Sequence, residues 1–100
     1  MDIVVYTKLW YGKNIIIVKR SLGDNYYFTG YVECDFPYLF LEEIFPCGIT
    51  FDDPLTDLGI NEHYVGFDTM WDSNKIHRYT KQKCIDILKK AAKRLNEYEN

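Results

Sequence analysis

The stretch that decides the fold is KQKCIDILKKAAKRLNEYE, Lys81 to Glu99. It contains no Gly or Pro and follows Thr80, a residue suited to cap a helix N-terminus. Cys84, Leu88, Ala91, Ala92 and Leu95 recur at helical spacing on one face, with Ile85 and Ile87 flanking it. Lys89, Lys90, Lys93 and Arg94 lie on the other side, toward the end where cations complement the helix dipole. One apolar stripe needs a surface to cover, and everything upstream reads mainly as strands. The expected class is therefore α+β: an antiparallel sheet of about four to six strands with this C-terminal amphipathic helix packed on one face. Residues 1–100 are expected to form a single domain.

The upstream pattern supplies the sheet. DIVVYTKLW and KNIIIVKR are β-branched or aromatic runs separated by a Gly-Lys-Asn turn, which predicts a hairpin. LGDN is a second turn, and YYFTGYVEC a third strand in which Gly30 marks a bulge or a close approach. YLFLEEIF reads equally as a helical turn or a short strand. CGITF is expected as a short strand, DDPLTDLGIN as a loop, and HYVGFD as the last strand, with GITF and YVGFD antiparallel neighbours.

Composition narrows the class. The chain is 47% hydrophobic and 17% aromatic, which fits a packed globule rather than a disordered segment. No apolar run approaches the ~20 residues of a membrane span. The N-terminus lacks the pattern of a signal peptide, and three scattered cysteines fit reduced thiols, so a cytoplasmic location is expected. Between Ser21 and Asn74 there is no Lys or Arg, while eleven acids fall there. Either the basic flanks fold back and neutralise these acids, or the middle presents an acidic face to a positively charged partner.

No phosphate loop, nucleophile elbow or zinc-protease helix is present, and the expectation is that the protein is not an enzyme. One carboxylate stands out. In YVGFDTMWD, Tyr64 to Asp72, Asp68 follows a run that reads as a buried strand, where an unpaired charge costs several kcal/mol, roughly. A zinc ion held by Cys34, Cys47, Asp68 and His63 or His77 would satisfy it, as a structural site or the centre of a metal-dependent hydrolase. A flank base such as Lys75 or Arg78 would do so too. The favoured answer is that Asp68 caps the following turn by accepting backbone N–H bonds.

GYVEC (Gly30 to Cys34), GITF (Gly48 to Phe51), YVGFD (Tyr64 to Asp68) and the helix after RYT occur in that order. In this the chain resembles a family of small phage and prophage proteins that share Gly-Tyr-Val, Gly-Gly-[Leu/Ile]-Thr and Gly-Phe-Asp strands before a C-terminal helix. Pro46, Trp71 and Phe36 stand where that pattern has histidines, so any metal or catalytic role of those histidines is not carried over. The resemblance implies a host-directed inhibitor, an anti-CRISPR protein of the type II kind, acting in the bacterial cytoplasm. Its implied partner is the CRISPR effector nuclease, with no membrane and no direct nucleic-acid binding. The acids Asp52, Asp53, Asp57, Glu62 and Asp72, with Trp71, would meet the positive channel of that partner. Tyr38, Tyr64 and Phe67 are further candidate apolar anchors.

Overall fold

The computed structural model describes residues 2–70 and 79–100. Among these residues the strands β1 (Ile3–Trp10), β2 (Lys13–Leu22), β3 (Asn25–Glu33), β4 (Phe51–Pro54) and β5 (His63–Asp68) form one sheet in the order β1-β2-β3-β5-β4. Every neighbouring pair is antiparallel. A short helix α1 (Leu39–Ile44) precedes β4, a 3-10 turn (Thr56–Leu58) lies between β4 and β5, and helix α2 (Lys81–Glu99) closes the chain. The α+β class and the helix laid on the sheet are as the sequence predicts.

The first three strands are a meander joined by two-residue turns. The β1–β2 turn uses Tyr11 and Gly12, both in the left-handed region (φ 51° and 76°), which matches the twist of a hairpin. The turn thus sits one residue earlier than the Gly-Lys-Asn reading, and Lys13 and Asn14 already pair with Trp10 and Leu9. Helix α2 starts where its cap predicts, with the Thr80 hydroxyl accepting from the Lys83 N–H at 3.2 Å.

Ile15, Ile16, Ile17 and Val18 are all buried, and strand alternation sends them to opposite faces. Ile15 and Ile17 meet the helix side with Val32, Val65, Phe67, Leu88 and Ala92. Ile16 and Val18 face the back of the sheet, where they pack with Tyr31, Tyr64 and Leu55, and with the part-buried Phe51, Leu58 and Ile60. The segment read as a polar loop is therefore a cover for the second face of the sheet. Three of its residues, Leu55, Leu58 and Ile60, supply the apolar contacts.

Strand β4 is displaced from its expected position. Pairing begins at Phe51 opposite Gly66 and runs to Pro54 opposite His63, so Asp52 and Asp53 are strand residues. Upstream, Cys47 and Gly48 take left-handed backbone (φ 61° and 78°), and the Glu42 carboxylate accepts from the Ile49 N–H at 3.1 Å. That turn occupies the chain that CGIT would need as strand. YLFLEEIF resolves as the helix α1, which buries Leu41.

The β3–β5 pair is held by two glycines that face aromatic rings in opposite senses. Gly30 lies opposite Phe67, and Gly66 lies opposite Tyr31. A Cβ on Gly30 would fall 2.7 Å from the Phe67 ring and 3.0 Å from Leu88. A Cβ on Gly66 would fall 2.5 Å from both the Gly30 carbonyl oxygen and the Tyr31 ring. Each ring thus occupies the volume its neighbour's side chain would take, one on each face of the sheet. Gly66→Ala is expected to destabilise the protein by about 3 kcal/mol, because backbone stands in the way. Gly30→Ala is expected to cost less in a Phe67→Leu background than alone, by more than ~0.5 kcal/mol in a denaturant double-mutant cycle. Additive costs there would show that the ring and the glycine are not coupled.

Candidate functional site

Of the acids nominated from sequence, Asp52 and Asp53 lie on the edge strand β4, Asp57 in the 3-10 turn and Glu62 just before β5. Two neighbouring residues of a strand point to opposite faces, so Asp52 projects to the helix side and Asp53 to the back. Pro54, which has no N–H to offer, is tolerated because β4 is an edge strand. Asp52, Asp53, Asp57 and Glu62 are all exposed. Asp52 contacts the His63 imidazole at 2.5 Å across the strand pair. Asp57 lies 3.8 Å from the Arg20 guanidinium. Asp53 and Glu62 make no ion pair within 4 Å among the described residues.

Of the two expectations for the acidic middle, neutralisation by a basic flank holds for Asp57. Arg20, from the basic N-terminal flank, reaches the back of the sheet as a hub. It donates to the Tyr31 hydroxyl at 2.6 Å, the Thr29 hydroxyl at 3.2 Å and the Asp2 carboxylate at 3.1 Å. The Ser21 N–H and then Arg20 hold the Asp2 carboxyl below its ordinary range. Burial opposes the Arg20 charge, but the Tyr31 hydroxyl and Asp2 outweigh it. Sequence reading missed Arg20, whose signal is a charged residue continuing the buried run of β2. Asp57 shares this cation, whereas Asp53 and Glu62 are exposed and make no ion pair among the described residues. Tyr64 is buried nearby, and burial, with Glu33 and Glu62 adding to it, pushes its hydroxyl up.

The partner of Asp68 lies within the protein. Its Oδ1 accepts from the Met70 N–H at 2.7 Å, the turn-capping role favoured from sequence. Next to it Thr69, 1% exposed, accepts from the Phe28 N–H at 3.3 Å and donates to the Phe28 carbonyl at 2.9 Å, fastening the end of β5 to β3.

The proposed zinc ligands do not converge. His63 and Asp68 stand at the two ends of β5, about 16 Å apart at the usual strand rise. Cys34 lies at the His63 end, where its N–H bonds the His63 carbonyl and its thiol donates to the Phe36 carbonyl at 3.1 Å. Cys47 is exposed in the turn before β4. Among the described residues no three His, Cys, Asp or Glu side chains come together as a metal site would require. Trp71, Asp72, Lys75, His77 and Arg78 lie outside the described residues.

Two of the nominated anchors are core. Tyr64 is 4% exposed and Phe67 fully buried, because alternation places them under the back cover and the helix respectively. Tyr38 alone of the described three reaches the surface, in an aromatic group with Phe36, Phe40 and Tyr98 that the sequence does not single out. Comparison with protein-family models, with curated proteins and with solved structures finds no match to this chain. No helix among the described residues is long and apolar enough to cross a membrane.

The thiols carry a prediction of their own. Burial raises Cys34 above its ordinary range and pushes Cys84 up to about 12. An alkylating reagent at pH 8 is expected to modify Cys47 in the folded protein, and Cys34 and Cys84 only in denaturant. The Cys84 proton is bound more tightly in the folded state than in the unfolded one. Its contribution to stability is therefore complete below about pH 9 and is lost between pH 9 and 12, by up to about 1.4 kcal/mol per pH unit. Urea titrations across that range should show the decline, and Cys84→Ala should flatten it.

Proposed function

We propose that this protein is a non-catalytic inhibitor that docks its acidic β4 edge onto a positively charged surface of a partner protein. The partner of this reading is the type II CRISPR effector nuclease of a bacterial host, in keeping with the resemblance to phage proteins. Docking would block target-DNA loading or cleavage. The observation that carries the proposal is that Asp52 and Asp53 on the edge strand β4, and Glu62 just before β5, are all exposed, while Asp57 is turned toward Arg20 on the back of the sheet. They lie in a stretch of chain without a Lys or Arg to neutralise them locally.

Physically, such an edge is suited to steering and occlusion. An effector nuclease holds its guide–target duplex in a positive channel, and a fixed set of carboxylates competes for that channel. Complementary potentials accelerate encounter and set orientation, and they require no bond to be made or broken. Asp53 and Glu62 are the residues best placed to act this way, since neither makes an ion pair within its own chain among the described residues. Trp71 and Asp72 belong to the same nominated set and lie outside the described residues.

The test is a binding and cleavage assay with a guide-loaded type II effector. The unaltered protein is expected to bind and to suppress cleavage, with an association rate that falls as salt rises. Asp53→Lys with Glu62→Lys should weaken binding by about 10- to 100-fold, mainly through slower association, while thermal stability is unchanged. An affinity that survives both the charge reversal and high salt would remove the electrostatic mechanism. An absence of binding to any type II effector would remove the proposed target.

A further inference from the structure

The most exposed apolar surface of the described chain shares no residue with the β4 edge. Leu39 is 86% exposed, and Phe36 and Tyr98 are each 58% exposed. With Tyr38 and Phe40 they form a continuous aromatic surface. Tyr38 stacks on Phe40 at 5.4 Å with the rings 5° from parallel, and Tyr98 approaches them at 4.8 and 5.4 Å. Phe36 extends the group at 5.1 Å from Tyr38. The cause lies in α1: six residues long, it turns Leu41 inward and leaves Leu39 in solvent. A contiguous apolar surface of this kind on a small domain marks an interaction site.

Beside it runs a cleft of about 600 Å³ between α1 and α2, floored by Phe40 and Ile44. Its rim carries both signs of charge: Lys90 and Lys93 from α2, Glu43 from α1 and Glu97 from α2. None of these four makes an ion pair within 4 Å among the described residues. Arg94 lies over the Phe40 ring, 4.9 Å from its centroid, so its charge is partly held within the chain.

We infer that this surface pairs with its own counterpart on a second copy of the chain. In a two-fold dimer the same patch meets itself, so it must be self-complementary. The aromatic group supplies an apolar centre, and the rim supplies cations and carboxylates that can cross-pair between copies. A nucleic acid matches this surface less well, because Glu43 and Glu97 stand among the cations that would face its phosphates. A strongly acidic or basic protein partner would match one half of the rim and oppose the other. The dimer is independent of the β4 edge, which it leaves free.

Sedimentation velocity over about 5–200 µM, a range that spans weak to moderate self-association, tests the assignment. The expected result is a dimer that dissociates on dilution. Leu39→Asp, at a solvent-facing position that should leave folding intact, is expected to weaken association at least tenfold with unchanged circular dichroism and melting temperature. The sharper test uses two rim variants: Lys90→Glu with Lys93→Glu, and Glu43→Lys with Glu97→Lys. Each alone should be monomeric where the native protein is dimeric, and an equimolar mixture should pair. A native protein that stays monomeric throughout overturns the inference, as does a mixture that fails to pair. A single-stranded oligonucleotide that binds the native protein and is lost with Leu39→Asp would reassign the surface to nucleic acid.

Discussion

The reciprocal packing of Gly30 under Phe67 and of Gly66 under Tyr31 is the constraint on which the rest of the molecule depends. It is the point at which the N-terminal meander, complete in itself as β1, β2 and β3, accepts a strand from the second half of the chain. Phe67 carries the greatest load. It fills the space above Gly30 near Leu88 of α2, and it meets Phe45, at the end of α1, at 5.0 Å. Helix, helix and sheet thus share one ring. On the other face Tyr31 covers Gly66, packs edge-on against Phe51 of β4 at 5.1 Å, and accepts from Arg20 at its hydroxyl oxygen. A one-residue slip of β5 would put a ring against a ring in one direction and a glycine against a glycine in the other, so register is fixed by shape as well as by hydrogen bonds.

From that lock follow both the core on two faces and the placement of charge. Once β5 is seated, β4 can only join beyond it, and the connection from Pro54 to His63 must cross the back of the sheet. Leu55, Leu58 and Ile60 bury apolar surface there, and Asp57 is carried within reach of Arg20. The cation is itself held by Tyr31, Thr29 and Asp2, so it does not travel to the acids; the loop brings one acid to it. The other carboxylates stay at the rim because no basic residue lies between Ser21 and Asn74 to follow them.

What could be seen in the sequence was whatever wrote itself in a clear period. The α2 stripe and its Thr80 cap, the β-branched run of β2 and the strand His63–Asp68 are all strong local signals, and each matches the structure. Asp68 was legible because an Asp ahead of turn formers has a specific local bond to make. Strand β4 was not, since Phe51–Pro54 is four residues long, two of them acids and one a proline, with no alternation to read. Its apolar-looking neighbour CGIT is consumed by a turn with left-handed backbone at Cys47. Leu55, Leu58 and Ile60 were hidden by the Asp, Pro and Gly around them, which speak of solvent. The aromatic surface of α1 and α2 escaped for a different reason: Tyr38 and Tyr98 are sixty residues apart, and nothing local to either announces the other.

The two edges of the sheet bear on why the acids are there at all. An open edge invites strand addition, and each edge here carries devices that oppose it. On β1 these are a break in register between Val4 and Tyr6 and the charged Lys8. On β4 they are brevity, Pro54 and the acids on both faces. Four residues ending in a proline already offer little to an incoming strand, so a single carboxylate would suffice for protection. Asp53 and Glu62 therefore stand as a surplus of negative charge that no ion pair among the described residues uses. A surplus held beside a sheet, with no ion-pair partner among the described residues, is what the proposed docking onto a positive surface draws upon.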